Sequence, residues 1–361
     1  MSTNIYVIRT RRLHWGKYSG INQFLKYIDY EKFHVEEHVV ADGDDDFPIK
    51  NRVLRKCLRY LVQRKGMGYY KLSDLRAEIV AFWKCRNNKF DILHYIDGEH
   101  SAQYLPQVFG KSKRFLTKFI ATYHQPPEVL GSLVNKKVLS KLDHVIVVSP
   151  IQLPFFHELL PRERISLILH GIDTDFFCPN SHLKDSHKFS CITVGHWLRN
   201  FGILRQIADI LSGQKDIEFC VVSSRLTGPQ QIKLEDLKNV KLYRDNVDDS
   251  RLLDLYRQSH VLLLPLSQST ANNALLEGMA CGLPAITNDL PSLKAYLSDK
   301  EAIFVKDNDP KQFADAVLYL AHHPEVLKGM ADQARKRAEA LDWRNIAPKY
   351  EELYSRYGSN N

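Results

Sequence analysis

The stretch from His260 to Asn288, HVLLLPLSQSTANNALLEGMACGLPAITN, constrains the fold more tightly than any other part of the chain. Its apolar residues 261–264 form the uninterrupted run expected of a short strand buried on both faces in a parallel sheet. Pro265 ends the run, and residues 267–273 form an uncharged polar loop. Asn272 is placed to cap a helix in which Leu275, Leu276, Met279 and Ala280 recur at helical spacing. Gly282 and Pro284 stop that helix, and residues 285–287 begin the next strand. Strand, helix and strand in this order point to an α/β fold. A helix start just beyond the carboxyl end of a buried strand also turns unpaired N–H groups toward an anion such as a phosphate. Glu277, one turn further in, offers a carboxylate to ribose hydroxyls; in an ordinary crossover the same residue would merely be a solvated glutamate.

The alternation continues on both sides. Residues 4–8 read as a first strand, followed by the glycine-bearing loop RTRRLHWGKYSG and an apolar-periodic helix over 21–28. The loop is not a GxGxxG fingerprint, so Gly16 and Gly20 are equally suited to a plain turn. Strands over 33–40, 91–95 and 119–123 follow, the last two ending in IDGEHS and HQPP. Polar residues just past the carboxyl ends of such strands line the crevice of an open parallel sheet, so Asp97, Glu99, His100 and His124 are site candidates. Further strands are expected at 142–150, in FSCITVG, at 218–222, in VKLYRDNV and at 302–305, with residues 294–297 continuing the pattern. Helices are expected over 249–259, near 310–322 and 324–341, and in the terminal LDWRNIAPKYEELYSRY.

These residues resemble the retaining GT-B glycosyltransferases of the group 1, family 4-like class. LLEGMACGLPAITN resembles the second half of that family's nucleotide-sugar motif, in which two glutamates stand eight positions apart. Glu277 matches the second glutamate, and Ser269 stands at the first. HGIDTDFF, residues 170–177, resembles the family's Asn-Gly-Ile-Asp turn with His170 in place of Asn, and Ser149 ends its strand as in the family. The family carries Gly-Arg and then Lys-Gly where this chain has Gly195-His196 and Phe201-Gly202. Arg199, the one Lys or Arg between those glycines, is the substitute, since a guanidinium matches phosphate oxygens bidentately.

The resemblance implies two Rossmann-like domains facing across a cleft: an acceptor-binding domain over 1–180, a nucleotide-sugar domain over 187–341, and a final helix over 342–361 crossing back to the first. Asn180 to Lys188, polar and poor in large apolar residues, reads as the linker. It implies donor contacts from Gly20, Gly195, His196, Ser269, Asn272, Asn273, Ala274, Leu275 and Glu277, catalytic roles for His124 and Arg199, and acceptor-side roles for Gly16, Asp97 and Glu99. The activity implied is transfer of a sugar from a UDP- or GDP-sugar to an acceptor hydroxyl with retention, in polysaccharide or glycolipid assembly. None of the Asp-x-Asp triplets, at 42–44, 44–46, 173–175 and 307–309, reads as a metal motif, so neither metal nor cofactor is expected. The departing diphosphate itself takes the acceptor's proton in this family, which is why no paired carboxylates are needed. The alternative is a nucleotide-sugar-binding protein with little turnover, suggested by Ser269 and the absent Arg/Lys pair.

Charge adds a partner. Residues 1–180 hold 27 Lys and Arg against 19 Asp and Glu, so the whole net charge of +8 lies in the first half. Within it, KNRVLRKCLRYLVQRKG sets Val53, Leu54, Cys57, Leu58, Leu61 and Val62 on one helical face and Arg52, Arg55, Lys56, Arg59 and Arg64 on the other. No acidic residue lies between Lys50 and Lys71, which suits an anionic membrane surface and a lipid-linked acceptor; the plainer alternative packs the apolar face on the sheet. No nucleic-acid recognition motif accompanies the basic half, so no nucleic-acid partner is expected. No apolar run approaches a membrane span, the apolar part of MSTNIYVIRTRR is too short for a signal peptide, and the six cysteines form no CxxC pair. The expectation is a cytoplasmic protein with buried reduced thiols, peripheral on the inner face of the membrane.

Overall fold

Short apolar runs separated by helices build two sheets, each six-stranded and wholly parallel. The computed structural model describes residues 2–12, 16–63, 66–113, 115–180, 188–226, 232–244 and 247–358. Arg64 of the basic run, residues 13–15 of the first loop, 181–187 of the expected linker and 245–246 lie outside the described residues.

The first unit comprises Met1–Trp15, Ile21–His170 and Arg344–Asn361. Its strands β1 (Thr3–Thr10), β2 (Phe33–Val40), β3 (Ile92–Tyr95), β4 (Lys118–Tyr123), β5 (His144–Val147) and β6 (Ile165–Leu167) stand in the order β2-β1-β3-β4-β5-β6. Ile5 to Ile8 are buried without alternation, as a central strand covered on both faces requires. Residues 21–28 were expected as an ordinary helix, but Ile21–Tyr27 is a 3-10 helix. Buried Ile21 and Phe24 are three apart, so they eclipse on one face in that tighter winding. The helices α1 (Arg52–Val62) and α2 (Leu72–Cys85) follow β2.

The second unit comprises Gly16–Gly20 and Gly171–Trp343. Residues 16–20 and 171–180, expected with the first domain, therefore lie with the second. Strands β7 (Phe189–Val194), β8 (Ile217–Val222), β9 (Val240–Tyr243), β10 (Val261–Leu264), β11 (Ala285–Asn288) and β12 (Ala302–Val305) are ordered β12-β11-β10-β7-β8-β9. Helices α3 (Phe201–Ile210), α4 (Asp249–Gln258), α5 (Asn273–Ala280), α6 (Pro310–His322) and α7 (Pro324–Ala340) connect and cover them. Residues 294–297, expected to continue the strand pattern, hold instead the 3-10 turn Leu293–Ala295. Gly282, at φ +75°, ends α5 in the left-handed region that a side chain would strain.

The last helix, α8 (Trp343–Tyr357), contributes to the first unit from Arg344 onward. Tyr350 stacks on Phe24 at 4.0 Å, and Tyr354 meets the buried His94, whose other ring nitrogen meets Thr122. Burial holds the His94 pKa down to about 3, so the ring is neutral. Four of the six cysteines are buried, as expected for thiols in apolar segments, while Cys178 is half-buried and Cys57 exposed; all six are free thiols.

Candidate active site

In an open parallel sheet the crevice forms where neighbouring strands send their connections to opposite sides. In the second unit that point falls between β7 and β10. The loop after β7 starts at Gly195, whose φ of +87° and the 3.2 Å between its hypothetical Cβ and Arg199 Nη2 both call for glycine. It then runs through His196 to Asn200, which caps α3 by accepting from Ile203 N–H. Two bonds tie this loop to the one after β10: Asn200 N–H donates to Pro265 O at 2.9 Å, and Ser267 N–H to Leu198 O at 3.0 Å.

That pairing fixes Arg199. Its Nε donates to Val194 O at 2.9 Å, Nη1 to Trp197 O at 3.1 Å and Nη2 to Asn272 Oδ1 at 3.0 Å. The same Asn272 oxygen accepts from Leu275 N–H at 3.3 Å, which makes Asn272 the cap of α5, as the sequence suggested. The guanidinium is thus held at the start of α5, beside the N–H groups of Asn273 and Ala274, which have no intrahelical acceptor by position. Burial lowers its pKa to about 10, so it is a cation at neutral pH. A cation and the positive end of a helix dipole repel each other, and an anion between them relieves both. Ser269 is buried in the preceding loop.

Glu277 is 4% exposed and lies one turn into α5. Both of its oxygens are engaged: Oε1 accepts from Ser19 Oγ at 2.6 Å and Oε2 from Tyr256 OH, on α4, at 2.8 Å. Burial raises the carboxyl pKa, against the pull of these two hydroxyls. Residues 16–20 are seated in this unit by the Ser19 bond, a Lys17 N–H bond to Asp249 Oδ2 at 2.7 Å and Tyr18 stacked on Phe176 at 3.6 Å. A side chain at Gly16 would collide with the Asp249 carboxylate, and Gly20 adopts a φ of +94°. Ser19, Tyr256 and Asp249 carried no sequence signal. Their positions are scattered along the chain and only the fold gathers them.

The first unit has its own switch point, between β1 and β3. Here Asp97 accepts from Thr10 N–H at 2.9 Å and Arg12 Nη2 at 3.3 Å. Burial alone would raise its pKa, but Arg12, His100 and His124 outweigh it and hold it at about 2. Arg12 also bonds His100 Nε2 at 2.8 Å, and burial then Arg12 push that imidazole to about 3. Glu99 is buried and accepts from His124 N–H at 3.2 Å; burial raises its pKa. His124 Nε2 lies 2.7 Å from Ile96 O, a pure acceptor, so Nε2 carries the proton. Asp97, Glu99 and His124 therefore lie together at this switch point, joined by Arg12, which carried no sequence signal.

Two parallel Rossmann-like sheets with these switch points are a GT-B fold. Sucrose-phosphate synthase from Thermosynechococcus elongatus superposes with a TM-score of 0.73, covering 98% of both chains at 17% identity. Anabaena HepE in complex with UDP and glucose gives 0.68, covering 98% of this chain and all of that one at 12% identity. Within that class, residues 191–323 match the family model for glycosyl transferases group 1. Two D-inositol 3-phosphate glycosyltransferases are 28% identical: that of Corynebacterium urealyticum over 64% of this chain and 60% of its own length, and one from Catenulispora acidiphila over 54% and 51%. The match thus spans about half the length of these curated relatives. Residues 191–323 thus resemble a group 1 glycosyltransferase domain, set in a chain of GT-B fold.

Proposed function

We propose that the protein transfers a sugar from a nucleotide-diphosphate sugar to an acceptor hydroxyl, retaining the anomeric configuration and using no bound metal. The observation that carries this reading is the Arg199 guanidinium, held by Asn272 at the start of α5. As the glycosidic bond breaks, negative charge grows on the diphosphate. A fixed cation and preoriented N–H groups stabilise that charge more than they stabilise the bound donor, which is what lowers a barrier. Gly195, His196, Ser269, Asn272, Asn273, Ala274, Leu275 and Glu277 line the donor side in this reading, with the Gly20 backbone beside them. Glu277 takes the ribose hydroxyls, exchanging them for the Ser19 hydroxyl. His124 is assigned to the transferred sugar, and Asp97, Glu99 and Gly16 to the acceptor. The departing phosphate takes the acceptor proton on the same face.

The donor is a UDP- or GDP-sugar; the UDP and glucose bound by HepE favour the former. The acceptor is a sugar or a lipid-linked saccharide in polysaccharide or glycolipid assembly, reached by a cytoplasmic protein that docks residues 50–65 on the inner face of the membrane. A thermal-shift panel of UDP- and GDP-sugars, followed by detection of donor hydrolysis and transfer, tests the reading. No shift with any nucleotide sugar overturns it. A second reading, binding with little turnover, is favoured by Ser269 in place of a glutamate and by the filled Glu277 oxygens. A shift without hydrolysis or transfer selects it.

A further inference from the structure

The helix α1 turns its apolar face away from the first unit. Of the apolar face expected from the sequence only Leu58 and Val62, both half-buried, pack on the unit; no residue of α1 is buried. Tyr60, Val53, Cys57, Leu61 and Leu54 follow one another around about 120° of the helix at about 100° per residue, and all five are exposed. Tyr60 is 86% exposed, Leu61 71% and Val53 70%, values that leave no packing partner in the unit for the stripe. The helix is held by its opposite side. Arg55 Nη1 donates to Asp44 O at 3.2 Å, Arg59 pairs with the Asp44 carboxylate, and Tyr104 OH donates to Val62 O. Arg52 and Lys56, both exposed, border the stripe.

The charge around this helix extends well beyond it. Residues 50–118 contain 16 Lys and Arg against five Asp and Glu. Four of those carboxylates, Asp74, Glu78, Asp97 and Glu99, are buried, and the half-buried Asp91 accepts from Asn4 N–H. The stretch therefore exposes no carboxylate of its own, while Arg59, Arg76, Lys84 and Lys111 pair with Asp44, Asp46, Glu36 and Asp143 from outside it. It also exposes Trp83, at 57%, with Ile79 one turn earlier on α2 and the Arg86 guanidinium 4.3 Å from the Trp83 ring centre. An apolar stripe with cations along one edge suits the boundary between headgroups and acyl chains.

We propose that α1 lies in the plane of an anionic lipid monolayer, with its apolar stripe inserted and Arg52 and Lys56 among the headgroups. This deepens the proposed peripheral attachment and rests on it. Charge complementarity selects the occupant. A second copy of the chain would bring the same positive surface against itself, and a nucleic acid would leave five apolar side chains unaccounted for. Among the described residues no helix is long and apolar enough to cross a membrane.

The test uses the full chain and vesicles of phosphatidylcholine alone or mixed equally with phosphatidylglycerol. An environment-sensitive fluorophore goes on Cys57, the one exposed thiol and a member of the stripe. Expected results are sedimentation with the anionic vesicles only, a blue shift of the fluorophore, and loss of both at high salt. Each cation near an anionic bilayer is worth about fivefold in partitioning, so Arg52→Gln with Lys56→Gln weakens binding about 25-fold. Leu54→Gln with Leu61→Gln weakens it by at least about tenfold while leaving the charge intact. Unchanged binding in the leucine variant, absence of a blue shift, or a dimer that shields Cys57 without lipid overturns the inference. The nucleotide-induced thermal shift is read on the same variants. Its persistence without vesicle binding removes the membrane face alone, and its absence in the wild type removes the donor reading alone.

Discussion

Arg199 offers the sharpest test of the donor site, because the structure separates what its charge does from what its hydrogen bonds hold together. Arg199→Ala removes the cation at the start of α5 and also strips a donor from Val194 O, Trp197 O and Asn272 Oδ1. Hydrogen bonds to charged groups contribute about 1.5–3 kcal/mol each, so losing one phosphate contact weakens nucleotide binding about ten- to a hundredfold. Turnover falls further, on the order of a hundredfold or more, because the charge on the leaving group is largest in the transition state. Arg199→Lys keeps the charge without the planar fork, so it recovers part of the affinity and leaves at least one of the three carbonyl and amide acceptors unserved. Isothermal titration with UDP and GDP gives the affinities, and thermal melting gives the structural share. The expected pattern is a large loss for Ala, a smaller loss for Lys, and a modest fall in Tm for both. Equal nucleotide affinity in the wild type and Arg199→Ala, with a lowered Tm, would assign Arg199 to the loop alone and refute its place at the diphosphate.

Three further outcomes follow from the same geometry. Glu277→Gln weakens nucleotide binding by about 1–3 kcal/mol, whereas Ser19→Ala frees Oε1 and leaves the affinity level or higher; a large loss in Ser19→Ala by titration would show that Ser19 itself holds the donor. Gly195→Ala forces a side chain into a φ of +87° against Arg199 Nη2 and lowers stability by about 1–2 kcal/mol, read by chemical denaturation; an unchanged midpoint contradicts it. His94 and His100 have folded pKa values depressed from 6.5 to about 3, so the unfolded chain takes up their protons first. Their contribution is present above about pH 6.5 and is lost as pH falls toward 3, giving a declining Tm across that window that His94→Gln makes shallower. An equally steep decline in the variant would locate the acid sensitivity elsewhere.

What the sequence alone determined is local. The buried run of β10, the Asn272 cap, the apolar spacing of α5 and the Gly282 stop are all decided within about thirty residues by hydrophobic period and capping chemistry, and all appear where expected. The α/β class follows from repeating that unit. The amphipathic period of α1 was legible too, but not the direction its apolar stripe faces, since a period says which residues share a side and not what that side meets. Tertiary structure alone decided the partners of Glu277. Ser19 lies 258 positions away and Tyr256 lies 21 positions away on another helix, distances at which no local pattern survives. It likewise drew Arg12 onto Asp97, 85 positions on, and gave Arg199 its fixed place by pairing two loops at the switch between β7 and β10. Parallel sheets bring together residues distant in sequence through crossovers, so strand order, which no single segment encodes, chooses which loops meet.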